Sequence, residues 1–317
     1  MKTITIIILL CFELVSSRGT AQTSLAENFS IIAFGDMPYV LPGDFARFEN
    51  LIRQVNGEKQ AFNVHVGDIK SSSTPCTEEY YLKILHYFDE FERPLIYTPG
   101  DNEWTDCNKE KAGSYDPEER LDVIRKMFFK DKTSFGKNKI TTREQSESAG
   151  YAKFVENRRW DYNHVVFGTV HLVGTNNFFL PTSKNHNSEF FERDHANVAW
   201  LNEIFSHAKQ VNSAGIFLFT QADMFSEDKA ASGCFDRFLR ELKNLTVDFQ
   251  KPVILVHGDS HKFIVDKPML RDGSKRVLEN FTRIQVFGEE DIQAVKITVN
   301  PNSKSLFQVE QFLVSEN

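Results

Sequence analysis

The run Phe29-Ser30-Ile31-Ile32-Ala33-Phe34-Gly35-Asp36-Met37-Pro38-Tyr39 sets an apolar, β-branched and aromatic segment directly before a glycine and an aspartate. A short apolar run closed by a turn signal reads as a buried strand. The arrangement returns at Phe62-Asn63-Val64-His65-Val66-Gly67-Asp68, at Pro94-Leu95-Ile96-Tyr97-Thr98-Pro99-Gly100-Asp101, and at Val253-Ile254-Leu255-Val256-His257-Gly258-Asp259. Strand-like runs also occupy 165–174 and 216–220, and helical patterns at 45–55, 78–91, 118–129, 195–209 and 235–249 lie between them. This alternation predicts an α/β fold. Beyond residue 261 the pattern changes to strands without helices, at 282–287, 293–299 and 306–312, expected to add antiparallel strands to a second sheet. Residues 130–148 are polar, charged and weakly periodic, and read as a mobile surface insertion, a loop in preference to a lid.

The 317 residues carry a net charge of -7, which removes the positive field that nonspecific nucleic-acid binding needs. A hydrophobic fraction of 41% with 29 phenylalanines is enough for a sizeable core. Lys2 followed by the apolar run 4–10 and small or polar residues to Ala21 has the form of a secretory signal peptide, with cleavage after Ser17 or Ala21. The expected organisation is a signal peptide at 1–21 and one domain at 22–317, secreted or periplasmic, with no membrane span after signal removal. Signal removal takes Cys11 and leaves Cys76, Cys107 and Cys234. Cys76 and Cys107 each follow a strand and a Gly-Asp pair, so their loops should emerge at one sheet edge and pair in an oxidising compartment.

In an open α/β sheet the carboxyl ends of the strands form the ligand crevice. Asp36, Asp68, Asp101 and Asp259 are all placed there, and glycine before each lets the backbone turn sharply. Four converging carboxylates repel one another unless a cation lies among them. Their oxygens suit hard divalent ions, and His261 adds a nitrogen that manganese, iron or zinc also accepts.

In this order and spacing the chain resembles the calcineurin-like metallophosphoesterases, whose pattern is D-x-H, G-D-x-x-D, G-N-H-[DE], a later histidine and G-H-x-H. The matching residues are Asp36-Met37-Pro38, Gly67-Asp68-Ile69-Lys70-Ser71, Gly100-Asp101-Asn102-Glu103, Gln221, and Gly258-Asp259-Ser260-His261. The phrases Gly35 to Tyr39, Pro99 to Trp104 and His257 to His261 narrow the resemblance to a little-characterised branch. It implies a four-layer α-β-β-α sandwich of two mixed sheets. It also implies two divalent metal ions, the first held by Asp36, Asp68 and His261, the second by Asp68, Asp101, Gln221 and Asp259. Pro38, Gln221 and Asp259 stand where the family has histidines. The oxygen-rich set favours magnesium, calcium, manganese or iron over zinc.

Asn102 occupies the place of the family histidine assigned to leaving-group protonation, and asparagine transfers no proton near neutral pH. Glu103, Tyr39 and His257 are the candidates for that duty. The implied activity is hydrolysis of phosphate mono- or diesters on a small phosphorylated substrate. The alternatives are an inactive phosphoesterase-like binding protein and a metal-stabilised structural domain.

Overall fold

Strand β1 (Phe29–Phe34) shows how the layers arise. Side chains alternate across a strand, so Ile31 and Ala33 point to one face and Ile32 and Phe34 to the other. The first pair joins the core between two sheets, and the second joins a core beneath helices. The computed structural model describes residues 26–181, 187–226 and 233–317. The segment 1–21 expected to be a signal peptide, with Cys11, lies outside the described residues.

One sheet has the order β12-β11-β1-β2-β3, with β2 (Phe62–His65), β3 (Leu95–Tyr97), β11 (Ala294–Val299) and β12 (Phe307–Phe312). Strands β1, β2 and β3 run parallel, while β11 and β12 are antiparallel additions on the other side of β1. The second sheet has the order β4-β5-β6-β7-β8-β10-β9. Its strands are β4 (Arg143–Glu144), β5 (Arg158–Tyr162), β6 (Val165–Thr169), β7 (Ile216–Phe219), β8 (Val253–His257), β9 (Ile264–Asp266) and β10 (Phe281–Gln285). Here β6, β7, β8 and β10 are parallel and the edges antiparallel.

Helices α1 (Gly43–Asn56), α2 (Glu78–Asp89) and α3 (Pro117–Phe128) cover the first sheet through Phe48, Leu51, Tyr81, Ile84, Phe88 and Ile124. Helices α4 (Ser188–Gln210) and α5 (Asp236–Phe249) cover the second through Trp200, Leu201, Ile204, Phe238 and Leu242. Between the sheets lie Val64, Val66, Phe167, Phe217, Phe219, Ile254 and Val256. The result is the expected four-layer sandwich. Among the described residues no helix is long and apolar enough to cross a membrane.

The C-terminal strands depart from expectation, because they divide between the sheets. Strand β10 pairs in parallel with β8, whereas β11 and β12 return to the first sheet and cover the edge of β1. Period-two alternation specifies a strand but not its partner, and an apolar edge such as β1 needs covering. The 130–148 segment is tied to the body of the fold by hydrogen bonds. Phe135 exchanges backbone hydrogen bonds with Leu95 at 2.8 and 3.0 Å, Lys137 N donates to Phe91 O, and Arg158 holds the carbonyls of Asp131 and Thr133. The Phe135 and Lys137 anchors lie at the start of β3, opposite the strand ends that carry the Gly-Asp pairs, so residues 135–137 form no lid.

Cys76 and Cys107 form the expected disulfide, with Cα atoms 5.8 Å apart, and Cys234 is buried. Both sulfurs lie against the carbonyl of Asn102. The bridge closes a 31-residue separation, worth about 3–4 kcal/mol in chain-entropy terms. The double variant Cys76→Ala/Cys107→Ala is expected to lose that much stability in chemical denaturation. A loss below about 1 kcal/mol would contradict it.

Candidate metal centre

After β1, β2 and β8 the chain turns through residues in the left-handed backbone region. Asp36, Asp68, Asp259 and His261 have φ of 53°, 56°, 76° and 58°, a conformation that costs non-glycine residues roughly 1–2 kcal/mol each. Backbone bonds between loops hold them there. Asp36 N donates to Gly67 O and Met37 N to Asp68 O, both at 3.0 Å, lacing the first loop to the second. Two glycines allow the closest approaches: a Cβ on Gly258 would lie 2.1 Å from Asp36 Oδ2, and one on Gly100 2.1 Å from Asp68 Oδ1.

The crevice draws on both sheets. Asp259 N donates to both carboxylate oxygens of Asp36, at 3.0 and 3.1 Å, and His261 Nε2 lies 3.7 Å from Asp36 Oδ1. Asp101 and Asp259 meet over Gly174, whose hypothetical Cβ would be 2.8 and 2.9 Å from the Asp101 oxygens and 2.9 Å from Asp259 Oδ1. Gln221 Oε1 accepts from Gly174 N at 2.6 Å, and Thr175 Oγ1 donates to Asp101 Oδ2 at 2.5 Å.

Asp68 is the hub. Its Oδ1 accepts from Asn102 N at 3.0 Å, and its Oδ2 from Tyr39 Oη and Asn102 Nδ2 at 2.9 Å and Gln221 Nε2 at 3.1 Å. Burial, followed by the charges of Asp101, Glu103 and Asp36, pushes its carboxyl well above the ordinary range. Burial and Asp68 push the Tyr39 phenol up as well, so it stays a donor. The nearby cation is Lys70, fully buried, which donates to Asn102 O at 2.5 Å and Ser71 O at 3.0 Å. Burial pulls its ammonium down to about 8, against the opposing charge of Glu103.

Of the proton-transfer candidates Glu103, Tyr39 and His257, Tyr39 donates to the Asp68 carboxylate, as does the Asn102 amide. Asn102 Nδ2 also donates to Tyr39 Oη at 2.9 Å. Glu103 is buried, its Oε1 accepting from Gly100 N, Tyr97 Oη and Asp68 N at 2.6, 2.7 and 3.2 Å, so it ties the second and third loops together. His257 is buried, with Nδ1 2.9 Å from Gly258 O. Trp104 packs edge-on against His171 and Phe178.

Sequence reading passed over three neighbours. Thr175 belongs to a left-handed turn, with φ of 45°, 55°, 53° and 60° from Thr175 to Phe178, clamped where Arg193 bonds Asn177 O and Oδ1. No sequence signal marks it. Asp223 N donates to Asp259 Oδ2 at 2.8 Å, again unmarked. Glu289 Oε2 lies 3.0 Å from His261 Nδ1, and here there was a signal: Gly288-Glu289 follows a strand as the Gly-Asp pairs do.

His65 lies beneath the second loop, ringed by Phe34, Phe48, Phe88 and Tyr97, and its Nδ1 accepts from Gly67 N at 3.2 Å. Burial pushes the imidazole down to about 3. The unfolded chain takes up this proton near pH 6.5 and the folded chain does not until about 3, so the stability linked to neutral His65 is full above neutrality and is lost as pH falls through that window. Between pH 7.5 and 4.5 the protein is expected to lose roughly 3 kcal/mol more than His65→Leu in urea denaturation. Equal losses would count against it.

The sequence pattern of the calcineurin-like phosphoesterases matches residues 29–263. The chain belongs to this family. As a calcineurin-like phosphoesterase it is a phosphate-ester hydrolase by class. No curated protein matches its sequence. Among solved structures it is similar to a dimetal phosphatase from Danio rerio, at 9% identity and TM-score 0.56, over 90% of this chain and 99% of that one. It is also similar to PhoD, at 10% identity and TM-score 0.60, over 93% of this chain and 68% of that one. A purple acid phosphatase from yellow lupin (Lupinus luteus) seeds matches at 14% identity and TM-score 0.52, over 92% of this chain and 52% of that one. At these identities the likeness is one of fold.

Family membership implies divalent metal ions, and the donor chemistry of the crevice suits them. Asp36, Asp68 and Asp101 are buried together, and the Asp68 carboxyl is raised first by burial and then by its acidic neighbours, whose repulsion a cation relieves. As the side chains stand, no three His, Cys, Asp or Glu among the described residues are disposed to hold an ion. Asp68 Oδ2 already accepts from Tyr39, Asn102 and Gln221.

Proposed function

We propose that the chain is an exported hydrolase of small phosphate mono- or diesters, a single domain over 22–317 with an oxygen-rich metal site of the divergent branch. The observation that carries this reading is the convergence of Asp36, Asp68, Asp101 and Asp259 from both sheets on one crevice. Asp36, Asp68 and His261 would hold one ion, and Asp68, Asp101, Asp259 and Gln221 the other. For Gln221 to contribute its oxygen, the bond to Gly174 N must be given up. Bound metal supplies an acidified water and polarises a phosphoryl oxygen.

The chain's own residues supply position. Glu103 and Lys70 fix the second and third loops relative to each other, and Thr175 orients Asp101. Asn102 Nδ2 and Tyr39 Oη would donate to a substrate oxygen beside Asp68 by releasing the bonds they make to that carboxylate. Neither gives up a proton readily at neutral pH. The net charge of -7 disfavours polyanions such as nucleic acid as substrates. The test is to strip the purified protein, reload it with manganese, magnesium, calcium, iron or zinc, and assay phosphomonoester and phosphodiester reporters. Turnover with at least one ion is expected, and none with any would overturn the reading.

A further inference from the structure

Four Gly-acid pairs close strands at the crevice, and the sequence holds a fifth. Gly288-Glu289 follows β10, which runs parallel to β8 and ends at the same side of the sheet. Glu289 shares the left-handed backbone of Asp36, Asp68, Asp259 and His261, with φ of 55°. Its N–H donates to Asp36 O at 2.8 Å, which fixes this loop to the first one.

Glu289 is not itself placed among the ion-facing carboxylates. Its Oε2 meets His261 Nδ1 at 3.0 Å, on the opposite side of the ring from Nε2, which lies 3.7 Å from Asp36 Oδ1. An ionised carboxylate only accepts, so in the neutral ring the proton sits on Nδ1 and the Nε2 lone pair faces Asp36. A carboxylate behind a ligating histidine fixes its tautomer and orientation and raises its basicity.

We propose that Glu289 is a positioning residue for the first metal ion, holding His261 so that Nε2 and the Asp36 carboxylate form a ready pair of ligands. The inference rests on the metallophosphoesterase reading and assigns Glu289 a part in it. Pro38 offers no ligand where the family has a histidine, so His261 is the one imidazole in this set, and its orientation matters correspondingly more. The Glu289 side chain is 56% exposed, so the effect belongs at the lower end of the range for such partners, about tenfold in metal affinity.

The experiment compares the full chain with Glu289→Ala, Glu289→Gln and, as a neighbouring surface control, Glu290→Ala. Metal-stripped proteins are titrated with Mn²⁺ by calorimetry, and the His261 ring nitrogens are followed by ¹⁵N NMR without metal. Glu289→Ala is expected to weaken one Mn²⁺ binding event about tenfold and to shift the ring toward the Nε2–H tautomer. Glu289→Gln, which keeps an acceptor, should fall between, and Glu290→Ala should match the parent. Unchanged affinity and tautomer in Glu289→Ala would overturn the assignment while leaving the metal site intact. A weakening matched by an equal loss of metal-free thermal stability would also overturn it, since the role would then be structural. Absence of Mn²⁺ binding by the parent protein would overturn the metal reading and this assignment with it.

Discussion

Asp68→Asn is expected to lower phosphate-ester turnover by about a thousandfold or more, equivalent to at least about 4 kcal/mol of transition-state stabilisation. Asp68 is the residue on which the other loops converge, through Tyr39, Asn102 and Gln221. It is also the one carboxylate assigned to both ions. Asparagine keeps an oxygen for those donors, so the fold should survive. Its amide nitrogen would then face Asn102 N–H, donor against donor, at a cost of about 1 kcal/mol. Steady-state kinetics, metal content and thermal unfolding measured together decide the matter. Turnover within tenfold of the parent at full metal loading would sink the assignment.

The second large effect concerns the leaving group. On the proposed reading, with Asn102 where the resemblance places a proton-donating histidine and Tyr39 held protonated by burial and its acidic neighbours, the departing oxygen would leave largely unassisted. A general acid contributes about 10²- to 10⁴-fold, and its absence is felt only by esters whose alcohols are poor leaving groups. Aryl phosphates should therefore be turned over about 10²- to 10⁴-fold faster than alkyl phosphates. Asn102→His should raise alkyl-ester turnover about tenfold or more and leave aryl esters little changed. Rates independent of leaving-group pKa would show that another residue donates the proton.

Much of this architecture was legible because buried parallel strands are written as continuous apolar runs. Strands β1 and β8 lie where those runs lie, and the acids follow them at fixed distance. Edge elements were harder to read. Arg158-Arg159-Trp160-Asp161-Tyr162 forms β5 although it is largely charged or polar, because Arg158 is paired with Glu144 and the Trp160 and Tyr162 rings supply the inter-sheet contact. Helix α4 begins at Ser188, earlier than its apolar periodicity suggests, because Arg193 in its second turn is buried by ion pairing to Glu189 and not by an apolar face. In the crevice, Asp36, Asp68, Asp101, Asp259 and His261 follow strands that the sequence marks, while Gln221 is named only through the resemblance. Thr175 was not legible, since its contact with Asp101 depends on a left-handed turn secured by a helix elsewhere in the chain.

The division of the crevice between two sheets has a thermodynamic consequence. Asp36, Asp68 and Asp101 come from the first sheet, and Gln221, Asp259 and His261 from the second. An ion shared among them binds only when the sheets are stacked, so its binding free energy adds directly to the free energy of docking one half of the molecule onto the other. The cation would then act as a rivet through the middle of the sandwich, and chelation would loosen the whole protein as well as silence its chemistry.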